Sequence, residues 1–420
     1  MMSDRIPVMN RRIATWAGIF IFLLGIVGDM ALQERMRPFA VHGVYFHPWS
    51  SEDMMQTVPL RALRDDPLQS LTHIHIQPPA FDLLRAVLVQ LWPSLNDGDA
   101  LVRVDESLYA LWAVVFGLLG VVVFAWLSRQ CGMATAGAAS ILLLLHPASI
   151  FFATYLDSTL LSAFLVLLAY YLLWKIANGH HASVLPFSVA TVLLFFTRSI
   201  FQLPSIAMFA LCLYLLRVPR KQLITYVLVT GLLSGLYVVK QHFMFGLLST
   251  SSFAGLNLAN SIGVGVGAAN YSRYLADPSH LRITDPQLPE VLTSETKLDG
   301  QPNFNNINYL SLNDDLLQRY EKRLRGASIG ELAKSYLDNA AIYFKPSSTY
   351  SSHHVIVDRL PWTDWYNRIF SAPVLPALLV LAIAGSASAN YLWQANATSS
   401  VNTSGGGALQ FVDYGFNCQG

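Results

Sequence analysis

Apolar residues crowd into runs of similar length along this chain, and polar residues collect mainly in two long stretches between them. The runs cover about 13–32, 107–128, 134–153, 157–174, 183–197, 200–216, 222–240 and 373–392. A helix needs roughly 20 apolar residues to cross a bilayer, and a chain in lipid must satisfy its backbone within itself. The pattern therefore predicts an all-α polytopic membrane protein with about eight transmembrane helices. The polar stretches lie at about 33–106 and 241–372. In the first, 80–92 has a helical pattern too short to span; it carries Asp82 and Arg85 and is expected at the membrane surface. In the second, "SIGELAKSYLDNAAIYF" alternates apolar and polar positions at the period of an amphipathic helix.

The expected organisation is a transmembrane module over 1–246, which includes the first long loop at 33–106. A polar segment over 247–372 follows, then a last span within 373–395. A Ser/Thr/Gly/Asn-rich tail over 396–420 is expected to be disordered. No internal repeat of the kind that builds inverted-repeat transporters is visible.

Charge gives this arrangement a direction. Arg5, Arg11, Arg12, Arg129, Lys175, Arg217, Arg220 and Lys221 fall on one side of the predicted bundle, and the short turns on the other side keep only Arg198. By the positive-inside rule the N-terminus is cytoplasmic and both long stretches are exoplasmic, in a multi-pass plasma (inner) membrane protein. The first run is followed by "GDMALQERMRPF" without a small-x-small cleavage site, so it reads as a retained anchor. Composition agrees: 53% of residues are hydrophobic and 13% charged, against about 25% charged in soluble domains. A net charge of +1 gives no reason to expect nucleic acid as a partner. Three scattered cysteines make neither a disulfide framework nor a zinc site.

Candidate chemistry gathers on the exoplasmic side. "SSEDMMQT" carries adjacent acids, Glu52 and Asp53, after a serine suited to cap a helix starting at Ser50 or Ser51. The acids would then either complement that helix end or do chemistry. In "HIHIQPPAFDLL", His73 and His75 alternate, which on an extended chain places both on one face. The proline pair after Gln77 should start a helix. Two histidines without a third ligand leave a metal site and a hydrogen-bonded pair equally open. Asp157 stands in a short outer turn with no basic residue near it in sequence. Arg198 breaks the local charge rule, and a planar guanidinium suits an anionic phosphate. Lys240 and His242, where the seventh span emerges, are further candidates for the same anion. "SIGVGVGAAN" lies in no βαβ context and is not a nucleotide loop. His353 and His354 could touch a ligand or a metal.

The order of these pieces resembles the GT-C glycosyltransferases that use polyprenyl-phosphate donors, in their protein O-mannosyltransferase and aminoarabinose-transferase branch. The resemblance rests on "WSSEDMMQT", "HIQPPAFDLL", "LVRVDESLYALWAVVFGLLG", "ATYLDSTLLSAFL" and "FTRSIFQLP", and covers about residues 10–245. The acidic pair reads Glu-Asp here where the family has Asp-Glu, and Gln77 stands where a His or Lys precedes the proline pair. The resemblance implies a GT-C-like bundle and inverting transfer of a sugar from a polyprenyl-phosphate donor to a hydroxyl of a glycan, lipid or protein. It implies Asp53 or Glu52 as the base, Asp157 as a second acid near the site and Arg198 on the donor phosphate. His73, His75, Gln77, Lys240 and His242 would lie around that phosphate. No cofactor is required by this chemistry, though carboxylates beside a phosphate could recruit a divalent metal. The different-class alternative is a transporter or flippase for lipid-linked glycans.

Overall fold

The computed structural model describes residues 11–36, 51–52, 54, 56–261, 288–343 and 361–365. The predicted span at 373–392, the tail, His353, His354 and nearly all of "SIGVGVGAAN" lie outside the described residues. So does Asp53.

Among the described residues the regular structure is helical, apart from one isolated antiparallel bridge between Thr296 and Pro302. The long apolar helices are α1 (Arg11–Met36), α5 (Asp97–Cys131), α8 (Thr159–Ala177) and α11 (Arg220–Phe245), each long and apolar enough to cross a membrane. A fifth crossing is possible where α6 (Met133–Leu144) and α7 (Pro147–Ala153) meet at 59°. The break has a local cause. Pro147 has no N–H to donate into α6 and drives His146 into an extended conformation, after which His146 Nδ1 accepts from the Ala148 N–H as a cap. The predicted spans at 183–197 and 200–216 become α9 (Val184–Thr197) and α10 (Leu203–Leu215). With 14 and 13 residues they rise only about 20 Å, short of a ~30 Å hydrocarbon layer. The described bundle therefore has four or five helices of full crossing length.

Helices α1 and α5 run antiparallel and touch backbone to backbone. A Cβ on Gly25 would lie 2.6 Å from Gly117 Cα, and one on Gly117 would lie 2.7 Å from the Phe22 carbonyl. Only glycine on both sides admits this crossing. Further along the seam, Gln33 Nε2 donates to Asp29 and to the Tyr109 carbonyl.

Chain direction sorts the two ends of the bundle. Arg12, Arg129, Lys175, Arg217, Arg220 and Lys221 collect at one end. At the other lies a polar layer built from α2 (Leu60–Asp65), α3 (Pro67–Thr72), α4 (Ala80–Val89), α12 (Ala254–Ser261), α13 (Glu290–Thr293), α14 (Asn308–Gly326) and α15 (Ile329–Tyr343). Helix α15 is the predicted amphipathic helix. Helix α5 enters this layer too: its 35 residues make about 50 Å, and the surplus beyond the bilayer carries Asp105 into the polar layer. Its start is set by Asn96, whose side chain caps the Asp99 N–H.

Two expectations for the first loop need correction. No helix starts at Ser51, and Ser50 lies outside the described residues: Ser51 and Glu52 form a turn, and the helix begins at Leu60. The 80–92 segment is helical as α4 behind Pro79, but Asp82 and Arg85 are fully buried and do not face the membrane surface. Phe81, Asp82, Arg85, Ala86 and Val89 all lie on its buried face, so this face carries an ion pair within its apolar stripe.

Candidate functional site

Three centres organise the polar layer, and each forms because residues distant in sequence meet over the bundle end. The first is Arg85. Its Nη2 donates to Glu52 at 2.5 Å, Nη1 to Asp82 at 2.7 Å and to the Val58 carbonyl at 2.7 Å, and Nε to Ser51 Oγ at 3.0 Å. Glu52 spends both oxygens here: Oε1 also accepts from the Leu60 N–H, and Oε2 from the Leu298 N–H. Asp82 further accepts from Gln77 Nε2, and Asp105 from the Ser51 N–H. Burial pushes the Asp82 carboxyl above its usual range, and the Arg85 charge and hydrogen bond only partly pull it back. Burial alone would weaken the Arg85 guanidinium as a base, but Glu52, Asp82 and Asp105 raise its pKa above the ordinary value. The result is a sealed ionic knot that fixes the turn at 51–52 to α4.

The second centre is Arg198, which the end of α9 delivers to the same layer. Its Nη2 donates to Thr159 Oγ1 at 2.5 Å and lies 3.6 Å from Asp157; its Nη1 donates to Gln56 Oε1 at 3.4 Å. Asp157 sits in the turn before α8 and receives the Thr159 N–H at 2.8 Å and the Thr159 hydroxyl at 2.6 Å. The sequence offers Asp157 no cation nearby, but folding brings Arg198 to it. Burial raises the Asp157 carboxyl above its ordinary pKa, opposed by Arg198 and Thr159. The two side chains keep 15% and 14% of their surface exposed, so this pair is reachable where the Arg85 knot is closed.

The third centre is the segment His73–Gln77. His73 caps α3 and its Nδ1 pairs with the Gln69 carbonyl, while His75 is fully buried. The two do not share a face, because the chain at His73 is still in the helical turn and not extended. Around His75 the backbone is gripped from three sides. Asn305 Oδ1 accepts from the His75 and Ile76 N–H groups, and Asn305 Nδ2 donates to the His73 carbonyl. Ser252 N–H donates to the His75 carbonyl, and Ser251 Oγ to that of Ile76. Lys240 Nζ and Gln241 Nε2 both donate to the Ile74 carbonyl. The His75 ring packs 5.1 Å from Phe245 and pairs with Ser252 Oγ at 2.9 Å, and burial lowers its pKa to about 3.

Of the residues singled out from sequence, Arg198 and Asp157 therefore meet each other, and Gln56 links them to the 51–57 segment. Glu52 and Gln77 belong to the Arg85 knot. His75 and Lys240 serve the third centre, where Lys240 also lies over the Tyr237 ring at 4.7 Å. His242 is exposed beside Phe243. Among the described residues no group of three or more His, Cys, Asp or Glu side chains is placed to hold a metal ion. Sequence reasoning missed Asp105, Lys297 and the asparagines of "NFNNIN" (303–308). Asp82 and Arg85, three apart on the apolar stripe of α4, were the legible signal. No family model, curated protein or solved structure matches the chain.

Proposed function

We propose that this chain is a membrane glycosyltransferase that moves a sugar from a polyprenyl-phosphate carrier to an acceptor hydroxyl at the polar end of its bundle, with inversion. The observation that carries the reading is the convergence on Arg198: a partly exposed guanidinium at the bundle end, held between Asp157 and the loop segment whose sequence includes Asp53. In this reaction the bond from the anomeric carbon to the phosphate oxygen breaks as the acceptor oxygen attacks from the opposite face. The carrier phosphate leaves with its negative charge and needs a cation, which Arg198 supplies as a planar donor. The acceptor hydroxyl needs a base, and Asp53 is the carboxylate assigned to take its proton. Glu52 is the poorer choice, since its two oxygens are already committed inside the Arg85 knot. Asp157 orients Arg198 through Thr159. The lipid tail of the donor accounts for a site where bilayer and aqueous phase meet, and the positive-inside charge pattern supports a location for that end outside the cytoplasm.

A transporter of lipid-linked glycans is the second reading, and Asp29 is the observation that favours it. This carboxylate is buried in the α1–α5 seam, with Oδ1 lacking a partner among the described residues, and polar groups within the membrane mark translocation paths.

One experiment separates the two. The full chain, in nanodiscs, is given radiolabelled polyprenyl-phosphate sugars and a crude envelope acceptor, with Asp53→Asn and Asp29→Asn in parallel. Transfer that is lost in Asp53→Asn while donor binding persists supports the enzyme. Movement of intact donor across a liposome bilayer, abolished by Asp29→Asn and without glycosyl cleavage, hands the case to the transporter.

A further inference from the structure

The polar segment that follows α11 has no role in the resemblance, yet it reaches into the first loop at its chemically most loaded point. The sequence "TKLDGQP" (296–302) folds into a tight hairpin. Thr296 and Pro302 form its antiparallel bridge, the Lys297 N–H donates to the Gln301 carbonyl at 2.8 Å, and the Gly300 N–H to the Lys297 carbonyl at 3.0 Å. Gly300 adopts φ of 84°, a conformation open to glycine at little cost. The hairpin base is braced by Asn303, whose Nδ2 donates to the Val291 and Ser294 carbonyls. Asn305, two residues on, grips the His75 segment.

From this support two groups project onto Glu52, Met54 and Thr57. Lys297 Nζ donates to the Met54 carbonyl at 2.6 Å and to Thr57 Oγ1 at 3.2 Å, and the Leu298 N–H donates to Glu52 Oε2 at 3.0 Å. Thr57 Oγ1 in turn donates to the Ser51 and Met54 carbonyls. The grip therefore falls on both sides of position 53 in sequence, and Gln56, the link to Arg198, lies within the same clamped stretch. Lys297 is 5% exposed. Burying an ammonium is costly, and an apolar side chain of similar length would fill the same space without that cost.

We infer that Lys297 is a positioning residue: through the hairpin, the segment after α11 holds the 52–57 stretch in register with Arg198, so both polar segments build one site. This rests on the transferase reading for its catalytic consequence but not for the clamp itself.

The test uses the full chain in nanodiscs with the polyprenyl-phosphate sugar donor. Hydrogen exchange is followed over residues 51–60, and initial rates are measured for wild type, Lys297→Met and Lys297→Arg. In Lys297→Met, exchange over 51–60 is expected to rise while that at the start of α8 stays unchanged. A displacement of this kind is expected to lower kcat about 10- to 100-fold with the donor KM within about twofold, and Lys297→Arg should recover part of the loss. If Lys297→Met does not fold, Lys297→Gln, which keeps a donor but not the reach and charge of the ammonium, is read the same way. Unchanged exchange over 51–60 overturns the proposal, as does raised exchange with unchanged kcat. A wild-type protein that transfers no sugar sinks the transferase reading alone, because the exchange arm still decides whether Lys297 holds the segment.

Discussion

Arg85 and Arg198 are the same side chain in the same polar layer, both set against carboxylates, and their surroundings could hardly differ more. Arg85 has all three nitrogens engaged at 2.5–3.0 Å and no exposed surface. Arg198 has one short contact, to Thr159 Oγ1 at 2.5 Å, two longer ones, to Gln56 at 3.4 Å and Asp157 at 3.6 Å, and a side chain that keeps 14% of its surface exposed. A guanidinium whose donors are saturated by the protein has nothing to offer a ligand, whereas one anchored mainly through Thr159 and keeping some exposed surface can present donors to a phosphate. On the proposed reading the difference gives stability to the first and chemistry to the second, and it can be broken by experiment.

The largest effect is expected at Arg85. Arg85→Met leaves Glu52 and Asp82 buried without their cation, and removing one partner of such a knot costs about 3–5 kcal/mol. Thermal unfolding in detergent should show a large drop in Tm, or the variant should fail to accumulate as folded protein. An unchanged Tm would mean that the knot is not the anchor of the first loop.

Arg198→Ala should behave in the opposite way. Its ion pair with Asp157 is partly exposed, so Tm should shift by only a few degrees, while on the proposed transferase reading sugar transfer falls about 100-fold or more with loss of leaving-group stabilisation. Arg198→Lys keeps the charge but not the fork and should recover only part of that rate. If Arg198→Ala lowers Tm as far as Arg85→Met does, both arginines are structural and the comparison collapses.

His75 sharpens the contrast through pH. Its folded pKa is about 3 against an ordinary 6.5, so between those values the unfolded chain binds a proton that the folded chain does not. Stability from this group is therefore complete above pH 6.5 and is lost as pH falls towards 3, amounting to about 2 kcal/mol by pH 5. Wild type should lose Tm between pH 7 and pH 5, and His75→Gln should flatten that slope. Equal slopes would show that the imidazole is not buried in its neutral form.

How much of this could be read beforehand depends on sequence distance. Helix α8 follows from an apolar run long enough to span and α15 from its amphipathic period, whereas the break at Pro147 falls inside 134–153, which the apolar pattern reads as one span. The polar end of the bundle was legible from the charge pattern, which is why Asp157 and Arg198 were singled out before their pairing was known. The partners themselves were not legible. Lys297 meets Met54 across 243 positions, and Asn305 meets His75 across 230. No local pattern encodes such contacts, because each depends on the whole bundle closing first. The burial of Asp82 and Arg85 was misread for a related reason: a short helix with two charges looks interfacial unless Glu52, 33 residues away from Arg85, is known to complete the pair.

The smallest effect, and the finest test of the comparison, is expected at Gln56. This side chain is partly exposed and touches Arg198 through one long hydrogen bond, so its removal should cost about 1 kcal/mol. Gln56→Ala should therefore lower kcat/KM about fivefold and leave Tm unchanged. The informative quantity is the double variant. If Gln56 acts only by steering Arg198, then Gln56→Ala should have no further effect once Arg198 is alanine, since the group it orients is gone. Full additivity would mean that the 52–57 stretch and Arg198 work independently, and that the loop is held for some purpose other than meeting the guanidinium. Non-additivity in Arg198→Ala, together with strict additivity in a background altered at the Arg85 knot, would place Gln56 on the reactive side of the layer and leave the sealed knot as its support.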